Sequence, residues 1–214
     1  MTRKKTCKTN TGGFVFSKEK NIFLNISKAL YSLTHDLKEE NPDASVDEWT
    51  FLPSGPCTGD VLDIKGKTAP GENIGMEVSF TLFVPVIDNR YEYVFKNIRI
   101  PGGSNSFRVR SQKVEDLNFI VRMFVDFKRS FHAEKGIAEF FEKNVPAGNY
   151  EIAINGNVPD GEKEVKIDFV ATQTVNADQE GNFYHQYDTC SLPEGEFTVK
   201  IGNNEKIITL TPSD

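Results

Sequence analysis

Carboxylates beside glycines, and three separated histidines, are the side chains of this sequence whose types could do chemistry. The segment VNADQEGN carries Asp178 and Glu180, and VPDGEKE carries Asp160, Glu162 and Glu164. Both put oxygen donors near a glycine, as calcium loops do, but neither follows the calcium-loop spacing. Each reads as a solvated acidic turn. His35, His132 and His185 fall in different stretches, with no i, i+4 pair and no H-E-x-x-H. His185 lies on the inward face of an alternating stretch, which predicts a hydrogen-bonded core or interface histidine rather than a ligand. No G-x-S-x-G elbow, Walker loop or dinucleotide fingerprint occurs. The glycine-rich PGGSNS at 101–106 joins two β stretches and precedes no helix, so it reads as a hairpin loop and not as a phosphate cradle. No residue set defines a reaction, and the expectation is a non-catalytic chain with no cofactor and no metal site.

Two kinds of surface chemistry remain. Exposed aromatics can stack on sugar rings, and Trp49, Tyr91, Tyr93 and Tyr184 are the candidates, with Trp49 and Tyr184 the pair to test. Core packing explains each of them as well. Asn25 opens N-I-S, the chain's only N-x-S/T acceptor, which is useful only in an exported protein.

The bulk figures narrow the partners. The 214 residues carry a formal charge of −6 with no sustained basic run, which argues against nucleic acid. Seventeen phenylalanines concentrate the apolar content in rings and favour thin, aromatic-filled layers. No stretch is long and apolar enough for a membrane span. The basic start, MTRKKTCK, is followed by no apolar signal core. Taken literally this is a cytoplasmic chain; taken as a piece of an exported protein it belongs outside the cell. Cys7, Cys57 and Cys190 make no C-x-x-C pair or metal spacing. Their odd number leaves at least one thiol free or joined to another chain, and a Cys7–Cys57 bridge is open in an oxidising compartment.

The elements that must position these residues are written in a repeated grammar. Pro101, Pro146 and Pro193 each begin a P-x-G turn and lie 45 (146 − 101) and 47 (193 − 146) residues apart. An alternating stretch precedes each: RYEYVF at 90–95, GIAEFF at 136–141 and GNFYHQYD at 181–188. Further upstream run MEVSFTLFV, NFIVRMFVDF and KEVKIDFVAT. In the last of these, Val165, Ile167 and Phe169 share one face and Lys166 and Asp168 the other, the pattern of a half-buried strand. Phe183, His185 and Tyr187 share a face in the same way, as do Tyr91, Tyr93 and Phe95. Units this short are marginal alone and must pair. A longer match sets DIKGKTAPGE against AINGNVPDGE, with Gly66 opposite Gly156.

The expected fold is mainly β: tandem immunoglobulin-like β-sandwich modules with a short N-terminal helical segment. The helix is placed from Ser17 to about Asn41, where Ile22, Ile26, Leu30, Leu33 and Leu37 form one face and Pro42 stops it. The divisions are 1–58 for the helical and linker region, 59–150 for a first sandwich of diverged repeats, and 151–214 for a second sandwich-like module. In the linker, Trp49 and Phe51 are expected to anchor onto the first sandwich.

The phrases NVPAGNYEIAING, EVKIDFVATQTVNADQEGNF, QYDTCSLPEGEFTVKIG and KIITL resemble repeat domains in surface proteins of methanogenic archaea. The turn grammar is also similar to transthyretin-like and carboxypeptidase-regulatory-like modules. The likeness covers roughly 115–210 well, 60–111 loosely and the N-terminus poorly. It implies an exported structural or adhesive module that assembles through its strand edges with other surface proteins or with itself. The alternative is a carbohydrate-binding or other ligand-binding domain on the same scaffold.

Overall fold

The computed structural model describes residues 44–122 and 126–213. The helix expected over 17–41, Asn25, Cys7 and His35 lie outside the described residues. Among those described, the chain is mainly β and forms thirteen strands: β1 (Glu48–Leu52), β2 (Val61–Lys67), β3 (Asn73–Pro85), β4 (Arg90–Ile100), β5 (Asn105–Gln112), β6 (Asp116–Arg122), β7 (Phe127–His132), β8 (Ile137–Lys143), β9 (Gly148–Asn157), β10 (Glu164–Asn176), β11 (Asn182–Asp188), β12 (Gly195–Ile201) and β13 (Asn204–Leu210). The alternation holds where it was strongest: Val165, Ile167 and Phe169 are all at most 1% exposed. The stretch expected to be linker contains β1, because Trp49 faces inward between polar neighbours.

Eight strands form one folded-over ribbon. β3 pairs with β10, β4 with β9, β5 with β8 and β6 with β7, all antiparallel. Glu164 meets Pro85, Arg90 meets Asn157, Ser106 meets Lys143 and Asp116 meets His132, so the midpoint of every pair falls within one residue of position 124. Alternate pairs land on opposite layers, giving the orders β3-β10-β5-β8 and β4-β9-β6-β7. That connectivity is a jelly roll. Its interior is aromatic: Phe80 stacks on Phe169 at 4.7 Å, and Phe119 on Phe140 at 3.9 Å.

The two outermost ribbon strands do not stop at the jelly roll. On the far side of β3 the same sheet continues with β12 and β13, and a three-stranded sheet, β1-β2-β11, forms a second cover beside the four-stranded one. β3 supplies Val84 to one core and Ile74 and Met76 to the other; β10 supplies Val165, Ile167 and Phe169 to one and Val175 to the other. Strands therefore pair across the expected division at 150/151. β9 runs through it, and β10 lies between β3 and β5. Period-two alternation fixes which face of a strand is buried, but it carries no address for the partner.

The P-x-G turns now have a structural reason. Each joins strands of opposing layers: Pro101 between β4 and β5, Pro146 between β8 and β9, Pro193 between β11 and β12. PGGSNS is thus a layer-crossing arch, not a hairpin loop. Two of these arches are tied by Asn105, whose Nδ2 donates to the Val145 carbonyl at 2.9 Å and whose Oδ1 accepts from the Val145 amide at 2.8 Å. The repeat records a recurring arch between layers.

Gly66 and Gly156 also have a shared cause. Gly66 is paired with Trp49 on one side and Phe183 on the other, and a Cβ there would lie 2.6 Å from a Phe183 ring carbon. Gly156 is paired with Tyr91, whose hydroxyl donates to the Asp116 carbonyl at 3.0 Å. A Cβ on Gly156 would press on that same carbonyl oxygen and come within 2.8 Å of the tyrosine ring. Backbone cannot yield as a side chain does, so Gly156→Ala is expected to cost about 1–3 kcal/mol. Gly55, with nothing within 4 Å of its Cβ position, is the control. Thermal melts of the two alanine variants check this; equal midpoints would count against it.

Candidate functional site

The two covering sheets leave a gap over the shared sheet, and a cavity of about 140 Å³ lies there. Its floor is the middle of the long strands, Val78 and Phe80 from β3 and Ala171 from β10, continued by Phe197 of β12. Its walls come from the facing edges of the covers, Ile98 on β4 and Tyr187 on β11. A register shift between Phe95 and Ile98 lets β4 bend at the gap, with Asn97 in the left-handed region at φ 58°. Ser191 Oγ donates to the Asn97 carbonyl at 2.6 Å and links the β11–β12 arch to that bulge.

Polar groups meet this apolar space at few points. His185 and Arg99 line it, and the His185 Nε2 is buried without a hydrogen-bond partner. The expectation of a hydrogen-bonded core histidine is corrected here: the ring faces cavity and apolar side chains, which offer Nε2 nothing to bond. Burial, and then the nearby Arg99 guanidinium, hold the imidazole below its usual range. Burial likewise pushes the Tyr187 hydroxyl up to about 12, with the Asp188 charge adding to it. Arg99 is exposed and, among the described residues, pairs with no carboxylate.

The depressed histidine has a sign that can be measured. The unfolded chain takes up a proton near pH 6.5 and the folded chain only at lower pH, so stability is full above 6.5 and falls as pH drops below it. Wild type is expected to lose thermal midpoint between pH 7.5 and 5, and His185→Phe to lose less. Parallel pH profiles for the two proteins would exclude this role for His185.

The remaining sequence candidates are placed apart from the cavity and from one another. Trp49 is wholly buried in the second core, with the Lys206 amine 4.9 Å from its ring centroid and bonded to its carbonyl. The ring has no face for a sugar, because β1 turns it toward Gly66 and Phe183. Tyr91 is buried too, whereas Tyr184 is 52% exposed on the outer face of the three-stranded sheet. Its hydroxyl donates to Asp63, Gln186 Nε2 donates to the same carboxylate at 2.9 Å, and the Lys65 amine stands 5.4 Å from the ring centroid. The Tyr184 and Gln186 bonds hold the Asp63 carboxyl below its usual range.

The acidic turns are occupied within the chain. Asp178 Oδ1 accepts from the amides of Glu180 and Asn182, each at 2.8 Å, and those amides, Asn182 first, lower its pKa. Asp160 accepts from Asn89, and Glu162 sits 3.5 Å from the Lys113 amine. Among the described residues no group of three or more His, Cys, Asp or Glu is arranged to hold a metal ion. No described helix is long and apolar enough to cross a membrane. Cys57 is a free thiol and Cys190 is disulfide-bonded, so the Cys7–Cys57 bridge is not formed.

Sequence reasoning put His185 and Tyr187 on an inward face but missed Arg99. Unbroken alternation from Tyr91, Tyr93 and Phe95 would carry the inward face to residue 99, but the β4 bulge shifts it by one, so Ile98 is buried and Arg99, while lining the cavity, is exposed. A bulge leaves little trace in a sequence of polar and apolar residues. No protein-family model matches the chain, and no curated protein is a significant match.

Proposed function

We propose that this chain is a non-catalytic structural or adhesive module of a cell-surface or extracellular protein, in which two sandwiches act as one stiff spacer. The observation that carries the reading is the unbroken β3–β10 ladder, thirteen pairs from Asn73↔Asn176 to Pro85↔Glu164, which passes through both cores. At about 3.3 Å per residue it spans roughly 40 Å with no linker to bend. The jelly roll grows from two strands of the other sandwich. In that sandwich β1, β2 and β11 lie opposite β13, β12, β3 and the end of β10, a three-against-four division like that of an immunoglobulin domain. The resemblance to methanogen surface repeats and transthyretin-like modules favours an exported setting. β8 and β13, the edge strands of the shared sheet, are where a like copy or another surface protein would add. Protease shaving of intact cells carrying the native protein tests the location, with a lysed control. Loss of antibody signal from intact cells is expected; protection until lysis removes the surface reading.

A second reading has its own observation. Tyr184, Asp63, Gln186 and Lys65 gather an exposed ring, a carboxylate, an amide and an amine on one sheet face. That chemistry suits a glycan. Saturable glycan binding that Tyr184→Ala abolishes would favour it over a purely structural role.

A further inference from the structure

We infer that the cavity between the two covering sheets is a binding site for a small monocarboxylate with an apolar tail. It does not depend on the spacer reading, and localisation leaves it untouched. The volume sets the tail. An apolar cavity of about 150 Å³ stays dry and accepts benzene, so about 140 Å³ holds a tail of about six non-hydrogen atoms. The lining sets the chemistry: Val78, Phe80, Ala171 and Ile98 offer no hydrogen bonds to water.

The head group follows from what is left unpaired at the wall. His185 Nε2 is buried and unpartnered at the cavity, which a protein does not normally leave without a ligand or water. Arg99 lines the same space, is solvent-exposed, and, among the described residues, pairs with no carboxylate. Asp188, which follows the wall residue Tyr187 but does not itself line the cavity, already accepts from the Cys190 amide at 2.9 Å. A carboxylate lodged against Arg99 would satisfy the guanidinium and place an acceptor near His185, while its hydrocarbon part fills the dry floor. A neutral molecule of the same shape would fill the floor and leave Arg99 unpaired.

The test is a titration of the full chain with hexanoate and with benzoate, against hexan-1-ol and benzyl alcohol, followed by amide shifts in two-dimensional NMR at pH 7.5. The expected result is saturable shifts clustered on β3, β4, β10 and β11, with each acid binding at least fivefold more tightly than its alcohol. Ala171→Leu fills the floor and should weaken both acids at least tenfold with the thermal midpoint unchanged or raised. Val78→Leu, from the facing strand, supplies a second filling variant if the first folds poorly. Arg99→Gln should bring the acid-to-alcohol ratio close to one without abolishing the alcohols' binding. Three results overturn the inference. They are no saturable shift with any of the four probes, binding that both filling variants leave unchanged, or equal affinities of acids and alcohols in the wild type.

Discussion

Replacing Phe169 with alanine is expected to destabilise the protein by about 3–5 kcal/mol, the usual range for removing a fully buried phenylalanine. The side chain is 1% exposed on β10 and touches both layers of the jelly roll. It stacks on Phe80 of β3 at 4.7 Å and meets Phe95 of β4 edge-on at 5.2 Å. Phe107 of β5 approaches at 6.3 Å. Alanine would leave a ring-sized void among three rigid neighbours, and rings cannot collapse into it as aliphatic chains do. For a domain of this size the thermal midpoint should fall by roughly 6–20 °C. Phe83 is the comparison, since it lies on β3 but is 62% exposed on the outer sheet face. Its alanine variant should stay within about 0.5 kcal/mol of wild type. Calorimetry of the two variants decides, and similar midpoints would mean that Phe169 does not anchor the core.

The contrast between these two phenylalanines shows what was legible in the sequence. Along KEVKIDFVAT the alternation placed Val165, Ile167 and Phe169 inward, and that is where they lie. Alternation is a local property of a pleated strand, so a single strand's own residues reveal it. Pairing is different. Nothing in Glu164 or Pro85 announces that they are partners, because the ribbon is held by many weak cross-strand contacts whose sum selects the register. The similar P-x-G stretches resembled copies of one module for the same reason: an arch between layers imposes the same turn chemistry wherever it occurs. The cavity was further from view. It exists because two covering sheets end over one continuous sheet, a fact about several strand edges at once. Trp49 was the clearest misplacement. In a stretch dense with proline, glycine and acids it read as a linker residue anchored on the first sandwich, whereas β1 places it, with Ala44 and Val46, wholly inside the second core.

Trp49→Ala is expected to cost about as much as the loss of Phe169, again about 3–5 kcal/mol, but from the other core. The indole is wholly buried between Gly66 and Phe51, whose ring centroid lies 6.2 Å away, with the Lys206 amine over its face. One detail separates two substitutions. The indole Nε1 is buried without a partner, so Trp49→Phe loses packing but also removes an unsatisfied donor, worth about 1–3 kcal/mol. The phenylalanine variant should therefore be the milder by a clear margin. The form of the melt carries more than its midpoint. Because Ile74 and Val175 of the second core sit on the same two strands as Val84 and Phe169 of the first, loosening either core pulls on the ladder that both require. Trp49→Ala and Phe169→Ala should each move a single cooperative transition. Hydrogen exchange would then show amides of β4, β6 and β9 losing protection in Trp49→Ala, although none of those strands touches the tryptophan. If those amides kept wild-type protection while β1, β2 and β11 opened, the sandwiches would be separable units, and the stiff-spacer reading would lose the observation that carries it.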